Sequence, residues 1–407
     1  MASKSQGIYR QIAYKKEASG QWGVLPGATG AKAIRRVTAD FNLIKDAYES
    51  NEIRTDQQTA DYRHGVRSAE GSISAELSPG SYADFMASLL ARDWATSGTA
   101  TGLTLAVAAA GTNFTLTRST GSFITDGFRV GQVVRITAGT GADPANLNNN
   151  LLIISLTATI ATVQVLSRVS LVVQASITAA AMSAVGKSTY VPLTGHTNDS
   201  YTFENWYSDV EQSEVFTGNK VTSLAVSLPS TGLVTADFSF LGKNLEQTGT
   251  TRYFTSPTAA GTTGIFAAVQ GAMIVNGSAA ACITSADFTI DRNMEAAQCV
   301  GSNFASEIFT GRITASGNLS AYFSDGTMRD YFANETPVTL VMALTTSTEK
   351  NADVMTFVFG RVKFSGSSIS DAPTGLVQSI PFTALLTGEN SNGIENTTVF
   401  VQDSTLV

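Results

Sequence analysis

Hydrophobic and polar residues alternate in short runs along most of the chain, and one clear run lies within residues 71–85, GSISAELSPGSYADF. Ile73, Ala75 and Leu77 alternate with polar residues, a period of two that places one side of a strand against a core. The turn residues Ser-Pro-Gly follow, and Ser81 is then a candidate N-cap before an apolar stripe with helical spacing. The pattern predicts a strand, a tight turn and a helix in direct succession.

The same pattern recurs in residues 317–331, GNLSAYFSDGTMRDY, where Thr327 is the candidate N-cap. When residues 65–87 are aligned with 311–333 without a gap, nine of the 23 positions are identical. Chance would give roughly one or two identities at ordinary residue frequencies. The identical residues of the first copy are Gly65, Ala69, Gly71, Ser74, Ala75, Ser78, Gly80, Asp84 and Ala87. The sequence therefore predicts an internal duplication.

Two further blocks recur in the same order. ADFNLIKD, from Ala39, is similar to ADFTIDRN, from Ala286, and TGLV begins at both Thr231 and Thr374. The copies differ after their helices, because the second continues directly into the strand pattern VTLVMAL while the first contains the additional residues 96–188. That segment has short β-type runs between Gly, Asn and Asp turns, which predicts a small inserted all-β domain.

The chain is therefore predicted to be mainly β, with three domains. The first copy of the duplicated unit occupies residues 1–95 and 189–248, the inserted domain 96–188, and the second copy 249–407. Charged residues are only 14% of the 407, and Ser, Thr, Ala and Gly take their place, which suits sheets with short connections. The polar N-terminal segment up to about Gly30 shows little periodicity and is predicted to be an arm ordered by a neighbouring chain.

The charge distribution argues against tight binding to nucleic acid. The net charge is −7 and the pI is near 5.0, whereas a protein that holds a phosphate backbone needs clustered Lys and Arg. The insert has the basic residues Arg118, Arg129, Arg135, Arg168 and Lys187 against Asp126 and Asp143, so its charge is 5 − 2 = +3. The rest of the chain then carries −7 − 3 = −10.

No compartment signal or redox chemistry is indicated. Cys282 and Cys299 fit neither a disulfide framework nor a zinc pattern, and they are predicted to be buried thiols. The N-terminus lacks the apolar segment of a signal peptide, and no stretch approaches a membrane span. We expect a chain that is made in a cytosol and kept there or released from it.

The residues that could support catalysis do not form a constellation. His64 and His196 stand in glycine-containing turns without a partner at ligand spacing. The segment GKST at 186–189 lacks the upstream glycine of a phosphate-binding loop, because Ala181 is at that position. Acidic pairs occur, Glu211 with Glu214 and Asp287 with Asp291, but such pairs are common on solvated faces. We expect no enzymatic activity, no cofactor and no metal.

Four blocks of the sequence resemble one known family. They are EGSISAELSPGSYADFMASLL, the region from YTFENWYSDVEQ to DFSFLGK, the region from ITSADFTIDRN to MRDYFANE, and FVFGRVKFSGSS. In this order they are similar to the tail tube (major tail) proteins of long-tailed bacteriophages, in particular the longer type with a duplicated tube domain. The resemblance covers most of the chain outside 96–188. It implies tandem β-sandwich tube domains, each with a flanking helix, around a small inserted β-barrel or sandwich.

The resemblance also implies a function. Subunits would form rings of sixfold appearance, stacked around the tape measure protein and later around the passing DNA, which is not bound specifically. The tail terminator and tail tip proteins would be further partners, and no membrane is involved. The protein would belong to the virion tail and assemble in the host bacterial cytoplasm. Since each chain contains two tube units, we predict three chains per ring, with six as the alternative.

Acidic residues of the duplicated unit are candidates for the wall of such a tube, because an acidic wall repels phosphates. Glu70 and Glu76, on the polar face of the first repeated strand, are the lumen-lining candidates, although their counterparts are Ser316 and Tyr322. Two other classes of protein remain alternatives. One is an adhesion module whose insert binds a host glycan, and the other is a component of a secretion tube or a surface layer.

Overall fold

The computed structural model describes residues 4–279, 282–370, 375–388 and 393–407. Strands dominate, and the only α-helices in these ranges are short, so the prediction of a mainly β chain is confirmed. The repeated Thr374 lies outside the described residues.

The first part of the chain forms the strands and the helix that the alternating pattern predicts. The strands are β1 (Arg10–Lys16), β2 (Lys32–Ala33), β3 (Thr38–Glu49) and β4 (Tyr62–Glu76), and the helix is α1 (Ala83–Leu90). The insert follows with β5 (Thr99–Ala110), β6 (Asn113–Arg118), β7 (Val133–Thr140), β8 (Leu151–Leu156), β9 (Ile160–Val165) and β10 (Gln174–Ala184). These six strands close into a barrel in the order β10-β5-β6-β9-β8-β7.

The chain then returns to the duplicated part. The next strands are β11 (Lys187–Tyr190), β12 (Tyr201–Tyr207), β13 (Gln212–Pro229), β14 (Thr235–Gly242) and β15 (Asn244–Gly249). The second half contains β16 (Gly271–Val275), β17 (Ser278–Ala279), β18 (Ile283–Asp291), β19 (Glu295–Ala297), β20 (Glu307–Phe309), β21 (Thr314–Tyr322), α2 (Thr327–Ala333), β22 (Val338–Thr345), β23 (Val354–Phe364), β24 (Ser368–Ile369), β25 (Val377–Ala384) and β26 (Phe400–Asp403). Single 3₁₀ turns lie at Gly7–Tyr9 and Ala268–Gln270.

The two halves repeat one topology, which we call the first unit (β1–β4, α1 and β12–β15) and the second unit (β16–β18, β21–β26 and α2). Seven strand pairs of the first unit each have an equivalent pair in the second. In the back part of each unit, β1–β2 corresponds to β16–β17, β1–β12 to β16–β22, β12–β13 to β22–β23 and β13–β15 to β23–β26. In the other sheet, β13–β14 corresponds to β23–β25, β3–β4 to β18–β21 and β4–β14 to β21–β25. Even the register is kept, because Ala39 lies opposite Ile73 and Ala286 lies opposite Leu319. The predicted duplication is therefore a structural one.

Each unit is a sandwich of two sheets, and one long strand belongs to both. The N-terminal half of β13 pairs with β12 and β15, and its C-terminal half pairs with β14. Aromatic rings fill the space between the sheets, with Phe41 stacked on Phe203 at 4.4 Å between centroids and Phe288 at 5.0 Å from Phe357. Burial of such large side chains is the main stabilising contribution.

A glycine repeated in both copies has a steric reason. Gly71 lies opposite Phe41, and a Cβ atom there would approach the Phe41 ring to 2.3 Å. Gly317 lies opposite Phe288 in the second unit, and a Cβ atom there would lie 2.1 Å from the carbonyl oxygen of Asp287. Both positions need a residue without a side chain, because no ordinary Cβ contact is so short.

The inserted barrel packs on the second unit although the chain enters it from the first. Buried Gln402 of β26 donates hydrogen bonds to the carbonyls of Val133 (3.0 Å) and Val185 (2.7 Å), and its own carbonyl accepts the Val133 N–H at 2.7 Å. Two insert cations also face this unit, since Arg129 pairs with Glu395 and Arg168 pairs with Glu349. Part of the basic charge of the insert thus neutralises its docking surface.

Three local expectations are wrong. Ser81 is not the N-cap of α1, because the helix begins at Ala83 after Tyr82 and has no side-chain cap, and α2 begins at Thr327 itself, after Gly326. The N-terminal segment is not an arm that requires a neighbouring chain to become ordered, because β1 pairs with β12 of the same chain. Both thiols are exposed.

Candidate functional site

A single antiparallel sheet runs through both units without interruption. Its order is β3-β4-β14-β13-β18-β21-β25, and we call it the shared sheet. The junction between the units is the pairing of β13 with β18, from Ser223 opposite Asp291 to Pro229 opposite Ser285. Each unit contributes three equivalent strands, and β13 joins them through ordinary backbone hydrogen bonds.

One face of the shared sheet packs on the cores and the other is exposed. Alternate residues of its strands are buried, as in β14, where Ala236, Phe238 and Phe240 are buried and the residues between them are not. We call the other side the polar face. Its carboxylates are Asp40, Glu70, Glu76, Asp237, Asp287 and Asp291. In the described strand segments the one Lys or Arg in register with this side is Lys220, opposite Leu241, and it is 2% exposed, with its ammonium donating to the carbonyl of Ile308 at 3.2 Å.

Short polar side chains of the same face donate hydrogen bonds to two of these carboxylates. The Ser227 hydroxyl donates to the Asp287 carboxylate at 2.6 Å across the junction of the units, and the Asn42 amide donates to Asp40 at 2.7 Å. Ser379 donates to the side-chain oxygen of Asn318 at 2.8 Å. The result is a surface rich in hydroxyls, amides and carboxylates.

A buried cation fixes the junction from the opposite side. Arg292, directly after β18, is 2% exposed, and its guanidinium donates to the carbonyl oxygens of Ser88 in α1 (2.8 Å) and Thr197 (3.2 Å). Burial lowers the pKa of this guanidinium from its usual value. A cation near the C-terminal end of a helix is favoured by the helix dipole.

The family model described as phage tail tube protein matches residues 10–384, which is nearly the whole chain. The chain belongs to the phage tail tube protein family. The comparison with curated proteins gives no match. A structural role in the virion tail follows from this membership, and the tandem sandwich fold with an inserted barrel agrees with it.

In this tail tube protein, Glu70 and Glu76 both lie on the polar face. Glu70 stands opposite Asn42 and Leu241, and Glu76 opposite Thr235. Their counterparts are Ser316 and Tyr322 of β21, so these two charges are not repeated in the second unit.

Sequence reasoning missed the pair of carboxylates that is repeated. Asp40 and Asp287 occupy equivalent positions of β3 and β18, one residue after the matched Ala39 and Ala286. The signal was present in the repeated triplet Ala-Asp-Phe, in which the flanking residues point to the core and the aspartate points away from it.

The other residues considered for chemistry lie apart from one another. His64 contacts Tyr62 edge-on at 5.1 Å on the exposed end of β4, and Lys187 of the GKST segment begins β11, which pairs with β26. The described ranges contain no group of three or more His, Cys, Asp or Glu that could hold a metal ion. Within the same ranges, no helix is both long and apolar enough to cross a membrane.

Proposed function

We propose that the chain forms the tail tube as stacked rings of three chains, each chain contributing two quasi-equivalent units. The polar face lines the lumen, and the tape measure protein and later the genomic DNA occupy that lumen. The observation that carries this proposal is the shared sheet, which crosses both units without a break and whose exposed charged side chains on the polar face, within the paired strand segments, are carboxylates.

The charge of the polar face suits a conduit. DNA carries one phosphate for about every 1.7 Å of helix axis, and a protein holds it by neutralising those phosphates with Lys and Arg. Carboxylates within the Debye length of about 8 Å at physiological ionic strength repel the phosphates instead. Asp40 and Asp287 supply this repulsion in both units, and Glu70 and Glu76 add to it in the first.

The remaining parts of the molecule have places in this assembly. The inserted barrel packs on the side of the second unit that faces away from the polar face, so it decorates the outside of the tube. The domain limits follow as 1–95 with 189–248 for the first tube domain, 96–188 for the insert and 249–407 for the second. Tail terminator and tail tip proteins contact the two ends of the tube, and assembly takes place in the host cytoplasm.

The ring stoichiometry is tested by native mass spectrometry of isolated rings, together with end-on electron micrographs of assembled tubes. We expect the mass of three chains and a hollow tube of constant bore with pseudo-sixfold symmetry. A ring of six chains, and thus twelve tube units, would contradict the proposal. Stable monomers that bind a sugar would favour the adhesion alternative.

The lumen assignment is tested by reversing charge on the polar face. A phage that carries Asp40→Lys with Asp287→Lys, or Glu70→Lys with Glu76→Lys, should eject its DNA more slowly, and added salt should reduce the difference because it screens phosphates. Glu211→Lys, on the exposed turn between β12 and β13, is the matched control. An unchanged ejection rate and salt dependence in both double variants would remove the lumen assignment.

A further inference from the structure

The shared sheet is extended beyond β25 by the short strand β24, so its two edge strands are β3 and β24. These two edges correspond to the two sides of the internal junction between β18 and β13. We propose that the joint between neighbouring chains copies the joint within each chain: β24 of one chain pairs antiparallel with β3 of the next, in the register of β13 with β18. This inference rests on the proposed ring and names the strands, the register and the anchoring side chain that close it.

The correspondence of the strands comes from their registers. Tyr201 lies opposite Asn219 and Val338 lies opposite Val362, and both pairs are followed by the same bulge, so β13 and β23 differ by 362 − 219 = 143 positions. With the same shift, Ser368 and Ile369 of β24 are equivalent to Ala225 and Val226 of β13. In the same way β3 and β18 differ by 286 − 39 = 247 positions.

Neither edge has a second strand partner in the described part of the chain, although the Ala39 carbonyl of β3 accepts a hydrogen bond from Arg10 at 2.7 Å. β3 pairs only with β4, and β24 pairs only with β25. The exposure of two equivalent residues shows the effect of the absent neighbouring strand. Val226, inside the junction, is 1% exposed, whereas Ile369 is 42% exposed. An unpaired strand edge readily takes a strand from another chain, and here the required partner edge exists at the other end of the same sheet.

The internal junction predicts the register residue by residue. Ala225 lies opposite Thr289 and Val226 opposite Phe288. Applying the shifts of 143 and 247 places Ser368 opposite Asn42 of the next chain and Ile369 opposite Phe41. Ile369 thereby covers the end of the aromatic core of the next chain, just as Val226 covers Phe288.

A lysine whose side chain has no partner among the described residues supports the same joint. The residue equivalent to the buried Arg292 is Lys45, since 292 − 247 = 45, and Lys45 is exposed. Its backbone pairs with Arg67 in β4, but its ammonium makes no hydrogen bond or ion pair with the described residues, whereas the Arg292 guanidinium donates to the carbonyl of Ser88 in α1. The repeat places Lys45 of the next chain at the C-terminal end of α2, near Asn334, where a cation is favoured.

Cysteine crosslinking tests the register in assembled protein. Asn42→Cys is combined with Ser368→Cys in a background in which the exposed native thiols are removed by Cys282→Ser and Cys299→Ser. Directly opposite residues on antiparallel strands have Cα atoms about 4.5–5.5 Å apart, within the range of a disulfide. After oxidation by copper phenanthroline in air, we expect denaturing gels to show covalent dimers and trimers and no larger species.

The matched control shifts the register by two positions on the same face. Ile44→Cys with Ser368→Cys places the sulfurs diagonally, so its crosslinking yield should be at least about fivefold lower, because diagonal neighbours are about 7–8 Å apart. Tubes that form normally but give no Asn42–Ser368 crosslink, or that crosslink equally through Ile44, overturn the proposed joint while leaving the ring intact. Protein that forms neither rings nor tubes overturns the proposed function as well.

The lysine is tested through the dissociation of isolated rings. Lys45→Met should raise the concentration at which rings fall apart by about tenfold or more, because a charged hydrogen bond is lost at each joint, and Lys45→Arg should restore it. Circular dichroism of the monomer checks that both variants fold. Equal dissociation of wild type, Lys45→Met and Lys45→Arg rings would overturn the assigned anchor.

Discussion

A buried carboxylate holds the corner at which β13 passes from one sheet of the first unit to the other. Glu17 is 4% exposed and accepts four hydrogen bonds. The donors are the hydroxyls of Ser200 (2.6 Å) and Thr202 (2.8 Å) and the backbone N–H groups of Gly23 and Gly218, both at 2.7 Å. Three separate segments of the chain therefore meet at one side chain.

We predict that Glu17→Ala lowers the free energy of unfolding of the first unit by about 4 kcal/mol. The figure follows from about 1 kcal/mol for each of the four donors left without a partner, near the lower end of the usual range because water can enter the vacated space. Glu17→Gln retains one acceptor oxygen and should cost about 2 kcal/mol on the same reasoning. Glu211→Ala, at an exposed turn, is the control and should change stability by less than about 0.5 kcal/mol.

Urea unfolding followed by the fluorescence of Trp22 measures this effect locally, because the Trp22 indole donates to the carbonyl of Gly218 at 2.8 Å. Trp94 and Trp206 are replaced by phenylalanine in all samples, so that the signal reports only this corner. A loss of less than about 1 kcal/mol in Glu17→Ala would refute the reasoning, since that is the expected cost of a single unsatisfied donor.

Three further predictions concern other parts of the fold. Gly71→Ala should lower the free energy of unfolding by about 1–3 kcal/mol, because its Cβ would lie 2.3 Å from the Phe41 ring, whereas Gly7→Ala, with nothing within 4 Å, should not. Gln402→Ala removes three hydrogen bonds to the insert, so limited proteolysis should release the insert earlier than in wild type. Burial raises the pKa of Asp403, so the native state keeps its proton to higher pH than the unfolded chain. Urea unfolding should therefore show wild type losing stability relative to Asp403→Asn as pH rises above 3.8.

The duplication could be predicted from the sequence because the constraints that create it are local. Alternation of side chains sets the face of a strand, and the close approach of Phe41 requires a glycine opposite it at Gly71. Both constraints act in each copy separately, so the two copies retain identical or similar residues at equivalent positions. The repeated triplet Ala-Asp-Phe marks Asp40 and Asp287 in the same local way, whereas Glu70 and Glu76 have no matching residue in the second copy.

The helix starts and the position of the insert could not be predicted, because both depend on contacts between distant segments. Asp84 lies in the first turn of α1, and it also accepts a hydrogen bond from the Tyr14 phenol at 2.9 Å and pairs with Lys32, contacts with segments that no local pattern indicates. The side-chain hydrogen bonds of Gln402 join it to residues about 220 to 270 positions away, and no periodicity marks such a residue. Tertiary contacts of this kind leave no local pattern.

The two units differ most on the side that faces away from the polar face, and the difference has a physical cause. Buried Glu204 of β12 lies opposite Val215, and at the equivalent place in the second unit Val341 lies opposite Val358. The Glu204 carboxylate accepts the N–H of Phe254 at 2.9 Å, from the segment that connects the units and covers this back sheet.

Val341 instead packs with Val133 and Leu152 of the inserted barrel, which covers the back sheet of the second unit. In the first unit, the covering segment presents backbone N–H groups, which need an acceptor such as the Glu204 carboxylate. In the second unit, the covering barrel presents apolar side chains, against which a buried carboxylate would have no hydrogen-bond donor. The two halves of the shared sheet keep the same strand pairing and register, although individual side chains of the polar face, such as Glu70 and Ser316, differ. In the proposed ring of three chains, the backbone of the lumen wall is therefore close to sixfold symmetric, whereas the outer surface is threefold.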